Sequence, residues 1–261
     1  MRGMADMGTT LGGSVHFAGL SDIGRQRSSN QDCWGADADQ ALFMVADGVA
    51  GSTDGALAAH LVVELLPTYV ARHLKPADSD DSAQPELLGR AVAEFCDHFR
   101  AYGNTDSRVA GASTTVVAVV VAGSRALVVH LGDSRAYLCR ERRLQRLTRD
   151  HSLIQDLLDA HQVDIEHADE HPARATLTRH VAMSPPARPD TAAVDLLAGD
   201  RILLCSDGLH GVIDESSLAK ILDSHRVPAD ACAALINAAN DAGGPDNVTA
   251  VVIHIEESHG A

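Results

Sequence analysis

Several β-prone runs in this chain are apolar on both faces, and this limits its fold more than any other feature. Residues 41–46, 114–121 and 201–205 are β-prone runs dominated by Val, Leu, Ile, Ala, Phe and Met. A strand of that kind needs cover on both sides. Helical patterns, in turn, come in pairs, 54–74 with 85–102 and 215–222 with 229–242, instead of alternating one for one with strands. That order disfavours a doubly wound parallel sheet. It suits two packed antiparallel sheets with helices outside them.

Further strands are expected at residues 14–20, 126–131, 136–140, 143–147 and 248–255, with Ala122-Gly123-Ser124 joining 114–121 to 126–131 as a hairpin. Asp54 opens the first helix, and Pro67 should kink or shorten it. A short helix is expected over 152–160, followed by a charged, irregular stretch at 164–172. Residues 1–13 read as a loose leader, 14–257 as one domain and 258–261 as a tail.

With only one Trp, three Tyr and four Phe in 261 residues, the core must be built from aliphatic side chains. The longest dense apolar run, 116–122, is far too short to span a bilayer. The leader lacks the apolar block of a secretory signal. A cytoplasmic, monomeric protein with no membrane partner is expected. Cys33, Cys96, Cys139, Cys205 and Cys232 include no Cys-x-x-Cys pair and read as reduced, buried thiols. A net charge of −15 argues against nucleic acid as a partner. The excess carboxylates serve either solubility or cation binding.

Aspartates recur where buried runs end. The run 42–46 leads into Asp47-Gly48, 128–132 into Asp133-Ser134, and 202–206 into Asp207-Gly208; Asp246-Asn247 precedes the last strand. Any one Asp-Gly is an ordinary turn. Four converging carboxylates would be costly unless a cation neutralised them. Hard oxygen ligands without His or Cys point to Mg²⁺ or Mn²⁺.

Seven segments in order carry a resemblance: Arg27-Ser28-Ser29-Asn30-Gln31-Asp32, Asp47-Gly48-Val49-Ala50-Gly51, Gly111-Ala112-Ser113-Thr114, Gly132-Asp133-Ser134-Arg135, Leu147-Thr148-Arg149-Asp150-His151-Ser152, Leu204-Cys205-Ser206-Asp207-Gly208-Leu209 and Gly244-Pro245-Asp246-Asn247-Val248-Thr249. Over about residues 14–255 the chain resembles the metal-dependent protein phosphatases of the 2C type, in their compact bacterial form. The resemblance implies an α+β fold, a four-layer αββα sandwich of two antiparallel sheets flanked by helices, with a flap insertion at about 148–180. It implies a serine/threonine phosphatase that uses a metal-activated water at two or three Mn²⁺ or Mg²⁺ ions. Asp47 would bridge two metals, with the Gly48 carbonyl on one and Asp207 and Asp246 on the other. Asp133 would hold a third metal, Asp32 would act on metal-bound water from outside, and Arg27 would grip phosphate. The implied partners are phosphorylated proteins and a cognate serine/threonine kinase. A non-catalytic phosphoprotein-binding regulator of the same fold is the alternative.

Two positions depart from the family pattern. Gln31 stands where Glu is frequent, and Val49 stands where some eukaryotic relatives carry a His proposed as general acid, so no general acid is assigned. His151 is a weak candidate for one. His167-Ala168-Asp169-Glu170-His171 fits the H-x-x-E-H pattern of zinc peptidases, but Pro172 follows at once and the segment instead resembles the flap, ending in His171-Pro172-Ala173-Arg174. Arg140, Arg142, Arg143, Arg146 and Arg149 form a basic island, read first as a solvated hairpin and otherwise as a docking surface for acidic substrate segments.

Overall fold

A computed structural model of the chain describes residues 7–10, 13–49, 52, 54–74, 82–164, 167–168, 171–183 and 188–257. The chain begins with strands β1 (Met7–Thr10), β2 (Gly13–Asp22), β3 (Asp32–Asp37) and β4 (Leu42–Asp47). Helices α1 (Gly55–His73) and α2 (Gln84–Gly103) follow. Next come β5 (Val116–Ala122), β6 (Arg125–Leu131), β7 (Arg135–Arg140), β8 (Arg143–Arg146) and helix α3 (Leu153–Asp159). β9 (Asp190–Asp195) and β10 (Arg201–Cys205) precede helices α4 (Asp207–His210), α5 (Glu215–Ser224) and α6 (Pro228–Asp241), and β11 (Val248–Glu257) closes the fold.

Every pairing is antiparallel. One sheet runs β1-β2-β11-β10-β7-β8 and the other β3-β4-β5-β6-β9. Strands apolar on both faces explain how the layers stack. In β5, Val117, Val119 and Val121 face the opposite sheet, while Val116, Ala118 and Val120 pack with α1 and α2. In β10, Ile202 and Leu204 join the inter-sheet core, while Leu203 and Cys205 lie with α5 and α6. The result is the expected four-layer αββα sandwich.

Asp54 caps α1 by accepting from Leu57 N–H at 2.9 Å. Pro67 does not shorten α1, which continues to His73. Losing one helical hydrogen bond to proline costs about 3 kcal/mol, and burying Leu66 and Val70 returns about 1.5–3 kcal/mol each. Burial wins. The two-residue turn of the β7–β8 hairpin places Glu141 and Arg142 at φ 49° and 65°, the backbone twist such tight hairpins prefer. Met7–Thr10, inside the segment read as a loose leader, pair with β2 as the edge strand. All five cysteines are free thiols, four of them buried.

Candidate metal centre

Antiparallel register brings the aspartates together. Asp32, the first residue of β3, pairs with Asp47, the last of β4. In the other sheet β10 lies between β11 and β7, so Cys205 at its end sits opposite Ala250 and Arg135. Asp207, just beyond β10, therefore shares an edge with Asp246, just before β11, and with Asp133, just before β7. All the proposed ligands come from this one end of the sandwich.

Hydroxyls tie the two sheets together there. Asp32 Oδ2 accepts from Ser206 Oγ and Thr249 Oγ1, each at 2.7 Å. Thr115 Oγ1 accepts from Asp47 N–H at 3.0 Å and lies 2.7 Å from Ser134 Oγ, linking the Asp47 backbone to the Asp133 loop. Two glycines permit close approach. A Cβ on Gly208 would stand 1.9 Å from the Asn247 carbonyl oxygen, and one on Gly48 would stand 2.5 Å from the Gly55 carbonyl carbon.

The arrangement is electrostatically incomplete. Burial, then the charges of Asp32, Asp207 and Asp133, hold Asp47 well above the usual carboxylate range. Burial and Asp207 push Asp133 up to about 8. Burial raises Asp32 to about 7 against the pull of the Ser206 and Thr249 hydroxyls. Burial and the Asp246 charge also raise Asp207. Asp47 and Asp207 are within hydrogen-bonding reach of each other, which two ionised carboxylates tolerate only with a cation or a shared proton. The donor set is entirely oxygen and fits Mg²⁺ or Mn²⁺.

Arg27 donates from Nη2 to Asp246 Oδ2 at 2.6 Å, and with its side chain 41% exposed it can also meet a ligand in solvent. Its loop is pinned by Asn247, which motif reading quoted without giving it a task. Asn247 Oδ1 accepts from Gln31 N–H at 2.9 Å, and its Nδ2 donates to the carbonyls of Ile23 and Ser29, each at 2.9 Å. Gln31 itself turns its amide nitrogen toward Gly55, and its carbonyl accepts from Gly48 N–H at 3.2 Å. Sequence reasoning also missed Arg174 as a charge at the centre. Its guanidinium packs near Gly211, and it and Arg27 both pull the Asp207 pKa down.

Other candidates take different roles. His151 is not a catalytic acid: it is fully buried, and burial first, then the neighbouring His130, push its pKa down to about 4. His130, His151 and Asp190 bring one donor atom each within 4.8 Å of one another. Gly132 N–H, however, donates to His151 Nδ1, so the Nε2 of that ring carries the proton and has no lone pair for a metal. His130 Nε2 is committed to the Arg149 carbonyl at 2.7 Å. This is a hydrogen-bonded network, not a metal site. Of the H-x-x-E-H stretch, Asp169 and Glu170 lie outside the described residues, and His171 Nδ1 accepts from Ala173 N–H. In the basic island Arg140 pairs with Asp200, Arg142 with Asp223, Arg146 with Asp150, and Arg149 with Asp156 and Asp159. Those four cations are ion-paired within the fold, which lowers the net positive charge the island presents.

A profile described as Protein phosphatase 2C matches residues 19–242. The chain belongs to the protein phosphatase 2C family. Among its relatives, the serine/threonine phosphatase stp of Listeria monocytogenes is 31% identical over 242 residues, covering 92% of this chain and 95% of that protein. The crystal structure of the Mycobacterium tuberculosis serine/threonine phosphatase PstP superposes with a TM-score of 0.82 at 32% identity, over 93% of this chain and 99% of that one. A PstP catalytic domain solved with two manganese ions gives a TM-score of 0.80 at 30% identity, over 93% and 99% of the two chains.

Proposed function

We propose that this family member is a metal-dependent protein phosphatase acting on phosphoserine and phosphothreonine, in which Asp47, the Gly48 carbonyl, Asp207 and Asp246 hold two Mn²⁺ or Mg²⁺ ions and Asp133 helps hold a third. The observation that carries this reading is the convergence of Asp32, Asp47, Asp133, Asp207 and Asp246 from both sheets, with the pKa values of the first four raised by burial and mutual repulsion. When bound, the ions supply an activated water and neutralise phosphoryl oxygens.

The chain's own groups do the rest. Arg27 holds phosphate oxygens with the N–H groups not engaged by Asp246. Asp32, anchored by Ser206 and Thr249 opposite Asp47, orients water from outside the ligand set. Arg174 adds a second positive charge beside Asp207. The physiological substrates on this reading are phosphorylated proteins served by a serine/threonine kinase in the cytoplasm, and the enzyme works as a monomer. Among the described residues no helix is long and apolar enough to cross a membrane.

The test is hydrolysis of p-nitrophenyl phosphate, then of a phosphothreonine peptide, in Mn²⁺, in Mg²⁺ and in EDTA. Turnover that appears with the ions and vanishes in EDTA supports the proposal. Phosphopeptide binding without turnover in any metal would favour a regulatory role and reject it.

A further inference from the structure

His151 lies outside the carboxylate centre, yet every polar atom it owns is engaged. Its backbone N–H donates to the Gly132 carbonyl at 3.0 Å, and Gly132 N–H donates back to its Nδ1 at 3.2 Å. This two-way clamp holds the residue immediately before Asp133. On its other side, the His151 carbonyl accepts from Thr178 N–H at 2.9 Å. Its Nε2 donates to Asp190 Oδ2 at 3.1 Å, and Asp190 is ion-paired with Arg179 at 2.6 Å.

Thr178 and Arg179 are where the flap segment returns to the body. Neighbouring contacts extend this seam: Leu153 N–H donates to the Thr176 carbonyl at 2.8 Å, and Ser152 forms an isolated β-bridge with Leu177. The ring stacks on His130, with centroids 4.4 Å apart and planes 19° from parallel. Such a side chain cannot shift at one end without disturbing the other.

We propose that His151 is a positioning residue that couples the flap to the Asp133 loop, so that flap placement and metal binding at Asp133 depend on each other. The inference rests on the reading of Asp133 as a metal-binding residue. The two ring nitrogens serve different arms, which makes the coupling separable. In His151→Asn an amide oxygen can stand near the Nδ1 position and keep the Gly132 bond while the donor to Asp190 is lost. In His151→Gln the amide NH₂ can reach the Nε2 position and keep Asp190 while the acceptor for Gly132 is lost.

The experiment compares the wild-type chain, His151→Asn, His151→Gln, Asp190→Ala and Asp133→Ala. For each, Mn²⁺ binding is measured by titration calorimetry, the half-activating Mn²⁺ concentration with p-nitrophenyl phosphate, kcat and KM for a phosphothreonine peptide and for p-nitrophenyl phosphate, and Tm by scanning calorimetry. His151→Gln should raise the half-activating Mn²⁺ concentration by about fivefold, the equivalent of one lost hydrogen bond, in the direction of Asp133→Ala. His151→Asn should raise the peptide KM by about fivefold relative to that for p-nitrophenyl phosphate while moving the Mn²⁺ midpoint less than about twofold. Asp190→Ala, at a side chain 44% exposed, removes only the flap arm and should reproduce the His151→Asn pattern even if the buried substitutions fail to fold. Equal losses of kcat and Tm with no such split would reduce His151 to a structural role and overturn the coupling. An Mn²⁺ profile of Asp133→Ala matching wild type would instead reject the metal reading of that loop, and the inference with it.

Discussion

Chelating the metals should leave a protein that becomes less stable as pH rises above neutrality. Burial pushes Asp133 up to about 8 and Asp32 up to about 7 in the fold, against 3.8 for a free aspartate. Between those values the folded state holds protons that the unfolded chain has released. The stability these groups contribute is therefore complete below pH 3.8 and is lost as pH rises through 7 and 8. Burial pushes His130, His151 and His210 the other way, to pKa values below 6.5, so their opposing effect is confined to lower pH. The informative window is thus from about pH 6.5 to about pH 8. Across it Asp133 keeps most of its proton and Asp32 gives most of its up, which together amounts to about 2–3 kcal/mol at about 1.4 kcal/mol per unit. For a chain of this size that is a fall in Tm of about 5–10 °C. Calorimetric melting in EDTA at the two pH values measures it, and Asp133→Asn should flatten the slope. Saturating Mn²⁺ should reverse the sign, because ions bind the deprotonated carboxylates. A metal-free Tm that is flat or rises across the window would refute the electrostatic account of the centre.

Asp207→Ala and Asp246→Ala should each abolish Mn²⁺-dependent turnover while the circular dichroism spectrum stays that of the folded protein. Arg27→Ala should raise KM for p-nitrophenyl phosphate more than it lowers kcat, since it removes phosphate binding that ground and transition states share; Arg174→Ala should act in the same direction. Asn247→Ala strands the Gln31 N–H and the Ile23 and Ser29 carbonyls, and should lower stability by about 3 kcal/mol in urea unfolding, at about 1 kcal/mol for each lost bond.

The layer order was legible because it follows from residue pattern. Val116 to Val121 in β5 must be covered on both faces whatever lies beyond them, and paired helices leave few ways to do it. Asp47, Asp133 and Asp207 were legible because each follows a buried run, and Asp246 because it precedes one; antiparallel register then carries them to one end. β3 and β9 gave no comparable signal: Asp32–Asp37 contains Gly and two Asp, and Asp190–Asp195 is edged by Asp and lacks large apolar side chains. Roles that depend on distant partners were illegible for a different reason. Asn247 reaches across more than two hundred residues to Ile23, Ser29 and Gln31, and the worth of His151 lies in which ring nitrogen faces which segment. Neither relation leaves a trace in local sequence. At Pro67 the shortening that the local rule allows does not occur, because burial of the helix that contains it outweighs the lost bond.

The central claim is that the converging carboxylates, and not the histidine cluster, bind the ions. Anomalous difference maps from crystals soaked in Mn²⁺ test it most directly. The account predicts peaks bounded by Asp47, the Gly48 carbonyl, Asp207 and Asp246, with any further peak beside Asp133. Peaks at His130, His151 and Asp190 with none among the aspartates would contradict it.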